Sequence, residues 1–311
     1  MIKPKKLKIG DTIGIVSPSY WLDKTTLYKT QQYLIDKGFK VVLGESTIGK
    51  DGPFAGSPQL RANDINQMFD NNEINAIMCS RGGYGSNKVL PLLDYLLIKN
   101  NPKIFMGFSD VTSCLISISQ KSKLITFHGP MLSSFKKKWV PYNYNGMIEV
   151  LSGNKDIIVK TPDDLPSKTI KAGKGSGKLC GGNMTLIINR IGTDDELDTR
   201  DCILFIEDVG EYLYAFERNL IHMKNAGVFT NLKGLIFGEL TRFKDQTISY
   251  NKTINEIILD TCDEFNYPII SNFPCGHGLY QYTMPIYVNA TILATETNPI
   301  LKIIEAATLE D

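Results

Sequence analysis

Short apolar runs alternate with helix-like segments through about the first 130 residues of this 311-residue chain. The apolar runs have the length of buried strands, and the segments between them have the spacing of amphipathic helices. Such alternation is typical of a parallel sheet covered by helices on both faces. We therefore expect a flavodoxin-like or Rossmann-like N-terminal domain. Its candidate strands are 12–16, 41–43, 76–80, 103–106 and 124–127, and its candidate helices are 25–37, 59–69, 88–93 and 111–119.

The character of the sequence changes between residues 136 and 178, where Lys, Pro, Gly and Asn dominate. This composition indicates an irregular crossover. The alternation then resumes and ends in a β-rich tail, which indicates a C-terminal mixed α/β domain of the swivelling β/β/α kind. The predicted organisation is 1–140 for the N-terminal domain, 141–178 for a crossover linker and 179–311 for the C-terminal domain.

Composition excludes several classes of protein. The formal net charge is +1, with 42% apolar and 22% charged residues, so nothing favours a nucleic-acid or anionic-membrane partner. Neither a signal-peptide h-region nor a membrane-length apolar run is present. Six irregularly spaced cysteines without a CxxC pair suggest buried free thiols, so we expect a cytoplasmic protein. No motif for a metal or a cofactor is present.

The stretch Gly107-Phe108-Ser109-Asp110 joins a candidate strand to a candidate helix. A tight turn there would project the serine hydroxyl and leave the backbone N–H of Asp110 as an oxyanion donor at a helix start. The hydrolase pattern G-x-S-x-G is incomplete, because Val111 takes the last position. The alternative is that Ser109 or Asp110 merely caps the helix.

A glycine-rich stretch, 80–85 with the letters SRGGYG, follows another candidate strand. Successive glycines allow backbone N–H groups to form an anion-holding concavity. The stretch lacks the residues of a P-loop and the spacing of a dinucleotide motif, which makes a nucleotide-dependent enzyme a weak alternative. The local sequence fits equally well the alternative that this stretch is only a tight turn with an exposed arginine.

The chain has only three histidines, so the candidates for a general base are few. His277 lies in a glycine-flanked loop after a strand, and His128 also ends a strand, whereas His222 lies within an amphipathic helix. Local sequence favours His277 modestly over His128. A base needs an orienting acid, and Glu207 and Asp208 end an apolar strand, where a carboxylate requires a partner unless it faces solvent.

Together these residues resemble the LD-carboxypeptidases, or muramoyltetrapeptide carboxypeptidases, serine peptidases that include the microcin-C immunity peptidases. Several matching blocks in one order cover nearly the whole chain. The blocks are 7–11, 17–19, 55–56, 61–64, 80–85, 101–112, 127–130, 181–183, 207–208, 274 and 276–277.

The resemblance implies a catalytic Ser-His-Glu triad of Ser109, His277 and Glu207, with no cofactor. It implies that the backbone N–H groups of Gly83 and Asp110 hold the oxyanion. Two further residues, Arg81 and Gly82, are then candidates for binding the substrate, with Arg81 facing its carboxylate. The family also suggests a homodimer.

The forms RGGYG, GFSD and FHGP look like the murein-recycling branch of that family. The expected reaction is hydrolysis of the bond between an L-centre diamino acid, diaminopimelate or lysine, and the terminal D-Ala of a murein tetrapeptide. One alternative is a microcin-immunity-like peptidase or amidase acting on peptidyl- or aminoacyl-nucleotide conjugates. Another is a non-catalytic α/β ligand-binding homologue.

Overall fold

The computed structural model describes residues 1–136, 140–297 and 299–309, which contain fourteen strands and eight α-helices. The strands are β1 (Thr12–Val16), β2 (Lys40–Leu43), β3 (Ala76–Cys79), β4 (Ile104–Gly107), β5 (Phe127–His128), β6 (Ile157–Val159), β7 (Lys168–Lys171), β8 (Gly173–Asn183), β9 (Cys202–Glu207), β10 (Gly234–Glu239), β11 (Ile269–Gly276), β12 (Met284–Pro285), β13 (Asn289–Ala294) and β14 (Ile300–Ile303). The helices are α1 (Lys24–Asp36), α2 (Pro58–Asp70), α3 (Tyr95–Asn100), α4 (Thr112–Ser122), α5 (Pro141–Leu151), α6 (Met184–Arg190), α7 (Leu213–Asn225) and α8 (Ile254–Cys262).

The chain divides into two units. The first unit comprises Met1–Asn154, Tyr282–Ile286 and Ala306–Asp311, and the second comprises Lys155–Gln281 and Tyr287–Glu305. Two short C-terminal segments thus belong to the first unit. The domain ranges expected from the sequence stay a prediction.

The first unit is built on a six-stranded sheet in the order β12-β5-β4-β3-β1-β2. Five neighbouring strands run parallel, and β12 adds an antiparallel edge. The order 2-1-3-4-5 is that of flavodoxin-like sheets, which bind ligands beyond the carboxyl ends of their strands. Strands β1, β3 and β4 are almost wholly buried apolar runs, as a sheet covered on both faces requires.

The second unit is built on an eight-stranded sheet in the order β6-β14-β13-β8-β9-β10-β11-β7. Its centre, β8 to β11, is parallel, and the strands on both flanks are antiparallel. The predicted fold class, a mostly parallel N-terminal sheet and a mixed C-terminal sheet, is therefore confirmed.

Local capping explains where several helices begin. The side chain of Asp23 accepts the N–H of Thr26 at the start of α1, and Thr253 and Glu256 form a reciprocal capping box at the start of α8. The prediction of a helix over 88–93 was wrong. Two short 3₁₀ turns occupy that stretch, because Pro91 has no N–H to donate, and Asp94 starts a new helix by capping α3.

The stretch 141–178, expected to be irregular, contains α5, β6, β7 and most of β8. Its glycines mark close backbone approach within a strand rather than turns. A Cβ atom on Gly175 would lie 1.7 Å from the carbonyl oxygen of Lys233, and one on Gly177 would lie 2.4 Å from that of Asp201. The glycine content that suggested a crossover therefore belongs to the centre of the second sheet.

Replacing Gly175 by alanine is expected to lower the free energy of unfolding by about 3 kcal/mol or more, because the new methyl group meets backbone that cannot rotate away. Chemical denaturation of purified protein measures the change. The exposed neighbour Ser176 gives the control, since Ser176→Ala should change stability by no more than about 0.5 kcal/mol. If the two substitutions lowered the free energy of unfolding equally, the close backbone approach would not be the reason for glycine at position 175.

Candidate active site

The turn between β4 and α4 holds Ser109 in an unusual backbone conformation. Its φ is +62°, a left-handed value that costs a non-glycine residue about 1–3 kcal/mol. Gly107 makes the turn possible, because a Cβ atom there would lie 2.7 Å from the Val111 side chain. The N-cap residues of the 3₁₀ turn at Ser109–Val111 and of α4, which are Phe108 and Val111, make no side-chain cap hydrogen bond.

The glycine-rich stretch lies directly beside this serine. Strands β3 and β4 run parallel in register, so the loops that follow them emerge side by side. A Cβ atom on Gly82 would lie 2.9 Å from Cβ and 3.0 Å from Oγ of Ser109. Gly83 has a φ of +126°, and a Cβ atom there would meet the ring of Tyr20 at 2.4 Å. Glycine at position 82 makes room for the Ser109 side chain, and glycine at position 83 permits a left-handed backbone that packs on Tyr20.

The carboxylate of Asp110 ties three segments together. It is 2% exposed and accepts hydrogen bonds from Ser19 Oγ at 2.5 Å and from the Ser86 N–H at 2.9 Å. The Ser86 hydroxyl in turn donates to the Asp110 carbonyl oxygen at 2.6 Å. Asp110 thus fastens the glycine loop to the turn that carries Ser109. Sequence analysis assigned only the backbone N–H of Asp110, and these side-chain contacts were missed.

Arg61 supports the same loop from within α2. Its side chain is fully buried, and Nη1 donates to the carbonyl oxygens of Pro18 at 2.5 Å and Gly85 at 2.9 Å. Burial lowers the pKa of Arg61 from its usual value. Its only signal in the sequence was membership of the block 61–64, to which no role was given.

Arg81, the candidate carboxylate binder, lies at the edge of this cluster. Its Nη1 donates to the carbonyl oxygen of Trp21 at 3.3 Å, and its guanidinium lies 5.8 Å from the centre of the Tyr20 ring. The side chain is partly exposed. A partly exposed guanidinium held by one carbonyl keeps donors available for a carboxylate.

Glu207 and His277 meet in the second unit. Glu207 ends β9 and is fully buried, while His277 follows β11, two strands away in the parallel part of the sheet. The distance from His277 Nδ1 to Glu207 Oε2 is 2.6 Å. A Cβ atom on Gly276 would lie 2.8 Å from Glu207 Oε2, and one on Gly238 would lie 2.9 Å from Glu207 Cβ. Glycines on β10 and β11 therefore make room for the acid.

The pair shifts the titration of the imidazole. Burial by itself lowers the pKa of His277, but the charge and hydrogen bond of Glu207, with a smaller contribution from Asp208, outweigh it. The pKa of His277 is therefore raised above its usual value of 6.5. A carboxylate on Nδ1 also selects the tautomer that leaves Nε2 as the proton acceptor.

The structure distinguishes Glu207 from its neighbour Asp208. Asp208 accepts four hydrogen bonds, from Asn183 Nδ2, Val209 N–H, and the N–H and hydroxyl of Thr185, at 2.8–3.1 Å. Asp208 thus organises the backbone after β9, and Glu207 holds the histidine.

His128, the other candidate base, belongs to the first unit. It is fully buried at the end of β5, and its ring packs edge-on to Phe108 with 6.0 Å between ring centres. His222 is exposed on α7. Of the three histidines, His277 has the carboxylate partner of a general base.

The structure thus brings together Ser109, Gly82 and Asp110 within the first unit, and Glu207 and His277 within the second. All six cysteines are buried, and none of them forms a disulfide. Among the described residues, no group of three or more His, Cys, Asp or Glu side chains could hold a metal ion. No helix in the described ranges is both long enough and apolar enough to span a bilayer.

Two family profiles match the chain. The profile described as "LD-carboxypeptidase N-terminal domain" matches residues 13–129, and the one described as "LD-carboxypeptidase C-terminal domain" matches residues 176–292. The chain belongs to the LD-carboxypeptidase family, and the resemblance stated from the sequence blocks is confirmed.

Relatives of two kinds are similar over nearly the full length. The "Probable murein peptide carboxypeptidase" of Bacillus subtilis (strain 168) is 30% identical, covering 96% of this chain and 94% of that protein. The "Microcin C7 self-immunity protein MccF" of Escherichia coli is 31% identical, covering 92% of this chain and 91% of that protein.

Solved structures agree on the fold. A structure of MccF in complex with glutamyl sulfamoyl guanosine has a TM-score of 0.91 and 28% identity, covering 99% of this chain and 100% of that chain. The muramoyltetrapeptide carboxypeptidase from Oxalobacter formigenes has a TM-score of 0.86 and 24% identity, covering 94% of this chain and 99% of that chain. At this identity, the similarity to the Oxalobacter formigenes structure supports the fold alone.

Proposed function

We propose that this chain is a serine carboxypeptidase that hydrolyses the L,D-peptide bond before the terminal D-Ala of murein tetrapeptides. The observation that carries the proposal is the buried pair of Glu207 and His277, with 2.6 Å between Oε2 and Nδ1. Such a pair is the base and its orienting acid in serine hydrolases. Ser109, held at a φ of +62° after a strand, supplies a nucleophile of the matching kind.

In the proposed mechanism, Ser109 Oγ attacks the carbonyl carbon of the diamino residue while His277 Nε2 takes the hydroxyl proton. The negative charge that develops on the carbonyl oxygen is stabilised by the backbone N–H groups of Gly83 and Asp110, each worth on the order of 3 kcal/mol. His277 then gives the proton to the leaving amine of D-Ala. Water attacks the resulting ester by the same route, and Glu207 stabilises the imidazolium in both steps.

Arg81, which is partly exposed and precedes Gly82 in the glycine-rich stretch, is the proposed partner of the substrate's terminal carboxylate. Arg81→Ala is expected to raise KM for the tetrapeptide about 10- to 100-fold with little change in kcat, since a hydrogen bond to a charged group is lost in ground and transition states alike. Steady-state kinetics of D-Ala release measure the effect.

The matched control for Arg81 changes the substrate. With a tetrapeptide whose terminal carboxylate is amidated, wild type and Arg81→Ala should show the same KM, because the ion pair is absent in both. A KM for the free carboxylate that does not change on Arg81→Ala would remove this assignment.

A second candidate function is cleavage of aminoacyl-nucleotide conjugates. It is favoured by the 31% identity to the microcin self-immunity protein, which is comparable to the 30% identity to the murein peptide carboxypeptidase relative. Mass spectrometry of products from a murein tetrapeptide and from an aminoacyl sulfamoyl nucleoside, at matched concentrations, separates the two. Release of D-Ala at a higher kcat/KM supports the murein peptidase, and preferential cleavage of the nucleoside conjugate supports the alternative.

A further inference from the structure

Glu239 is a carboxylate to which the proposed mechanism gives no role. It ends β10, the strand that lies between β9 with Glu207 and β11 with its following His277. In the ladder between β10 and β11, Glu239 is in register with Gly276, the residue before His277. Three adjacent strand ends of the second unit thus present an acid, a second acid and a base.

The carboxylate of Glu239 packs against the backbone just after the histidine. A Cβ atom on Gly278 would lie 1.7 Å from Glu239 Oε2 and 2.6 Å from Oε1, so only glycine allows this approach. The Oε2 atom is buried and accepts no hydrogen bond from any residue in the described ranges, although the side chain as a whole is partly exposed. Burial raises the pKa of Glu239 above its usual value.

Asp208 shows how this protein stabilises a buried carboxylate that has a structural role. It lies just beyond the next strand end and accepts four hydrogen bonds from side chains and backbone. A carboxylate oxygen left without a donor costs about 1–3 kcal/mol or more. Glu239 carries that cost beside the general base, which is the place where a bound substrate could supply the missing donor.

Cationic amines are the natural partners of such a group, since a charged N–H donor offsets both the burial and the missing hydrogen bond. Resting on the proposed function, we propose that Glu239 binds the side-chain ammonium group of the diamino residue whose carbonyl is attacked. That residue is the acyl half of the scissile bond, so the reaction itself requires its carbonyl carbon to come close to His277. Lysine and diaminopimelate both carry this amine.

The test compares three tetrapeptides ending in D-Ala. One has lysine at the third position, one has diaminopimelate, and one has lysine whose side-chain amine is acetylated. For wild type, we expect the acetylated peptide to have a kcat/KM about 10- to 100-fold below that of the lysine peptide. Glu239→Gln should lower kcat/KM about 10- to 100-fold for both amine peptides, mainly through KM, and should leave the acetylated peptide unchanged.

Glu305→Gln is the matched control, because Glu305 is a half-buried carboxylate just after β14, four strands from β10 in the same sheet. Glu305→Gln should leave kcat/KM unchanged for all three peptides. If Glu239→Gln lowered kcat/KM equally for the acetylated and the amine peptides, Glu239 would have a structural role only. If it lowered kcat/KM for none of them, the proposal would be overturned outright. A wild type that does not distinguish acetylated from free lysine overturns it even if Glu239→Gln fails to fold. Failure of wild type to release D-Ala from all three peptides would instead reject the proposed function.

Discussion

Replacing Ser109 by alanine is expected to lower kcat for D-Ala release by about 10⁴-fold or more, because the reaction then loses its nucleophile. Removing the serine of a serine-histidine-acid triad costs this much even when binding and oxyanion stabilisation persist. The fold should survive, since alanine keeps the Cβ atom that Gly82 faces, and the hydrogen bonds among Asp110, Ser19 and Ser86 hold the turn. Mass-spectrometric detection of released D-Ala measures kcat, and thermal melting measures whether the variant still folds.

The control is another serine of the same segment. Ser113 is the second residue of α4 and is fully buried, and its hydroxyl has no hydrogen-bond partner among the described residues. Ser113→Ala should therefore keep wild-type kcat and stability. If Ser109→Ala released D-Ala at the wild-type rate, the chain would not be a serine peptidase of the proposed kind.

The strand-turn-helix around Ser109 could be predicted because its signals are local. An apolar run, a glycine and a helical pattern follow one another within about fifteen residues, and the structure has β4, the turn and α4 in that order. The parallel strands followed from the same local signals. The acid and base were found differently. Local sequence left His277 beside His128 and Glu207 beside Asp208, and the resemblance to a family selected Glu207 and His277.

The features that were missed depend on contacts between residues far apart in the chain. Ser19 and Asp110 are 91 positions apart, and no pattern around either residue indicates the hydrogen bond between them. The glycines of β8 were interpreted as a crossover, because glycine has the same local signature in a turn and at a close backbone approach. Glu239 is likewise ordinary in sequence, and its burial beside Gly278 becomes visible only when β10 and β11 pair.

Replacing Glu207 by glutamine is expected to lower kcat about 10³- to 10⁴-fold and to change the pH dependence of what remains. The amide cannot stabilise the imidazolium, and it also allows the wrong tautomer of His277. In the proposed mechanism, His277 takes the proton only when it is neutral. Its pKa is raised, so wild-type activity should rise with pH and reach half its plateau above pH 6.5.

Without the Glu207 charge, burial dominates the environment of the imidazole and favours its neutral form, so the acid limb of the Glu207→Gln profile should move to lower pH. Asp208 provides a graded comparison, because its charge also raises the pKa of His277 but contributes less than Glu207 does. Asp208→Asn should therefore move the limb in the same direction by a smaller amount. Profiles of kcat/KM against pH for the three proteins measure these shifts. An acid limb that stays in place in Glu207→Gln would mean that His277 is not the group whose ionisation controls the rate, and the base would have to be sought elsewhere in the chain.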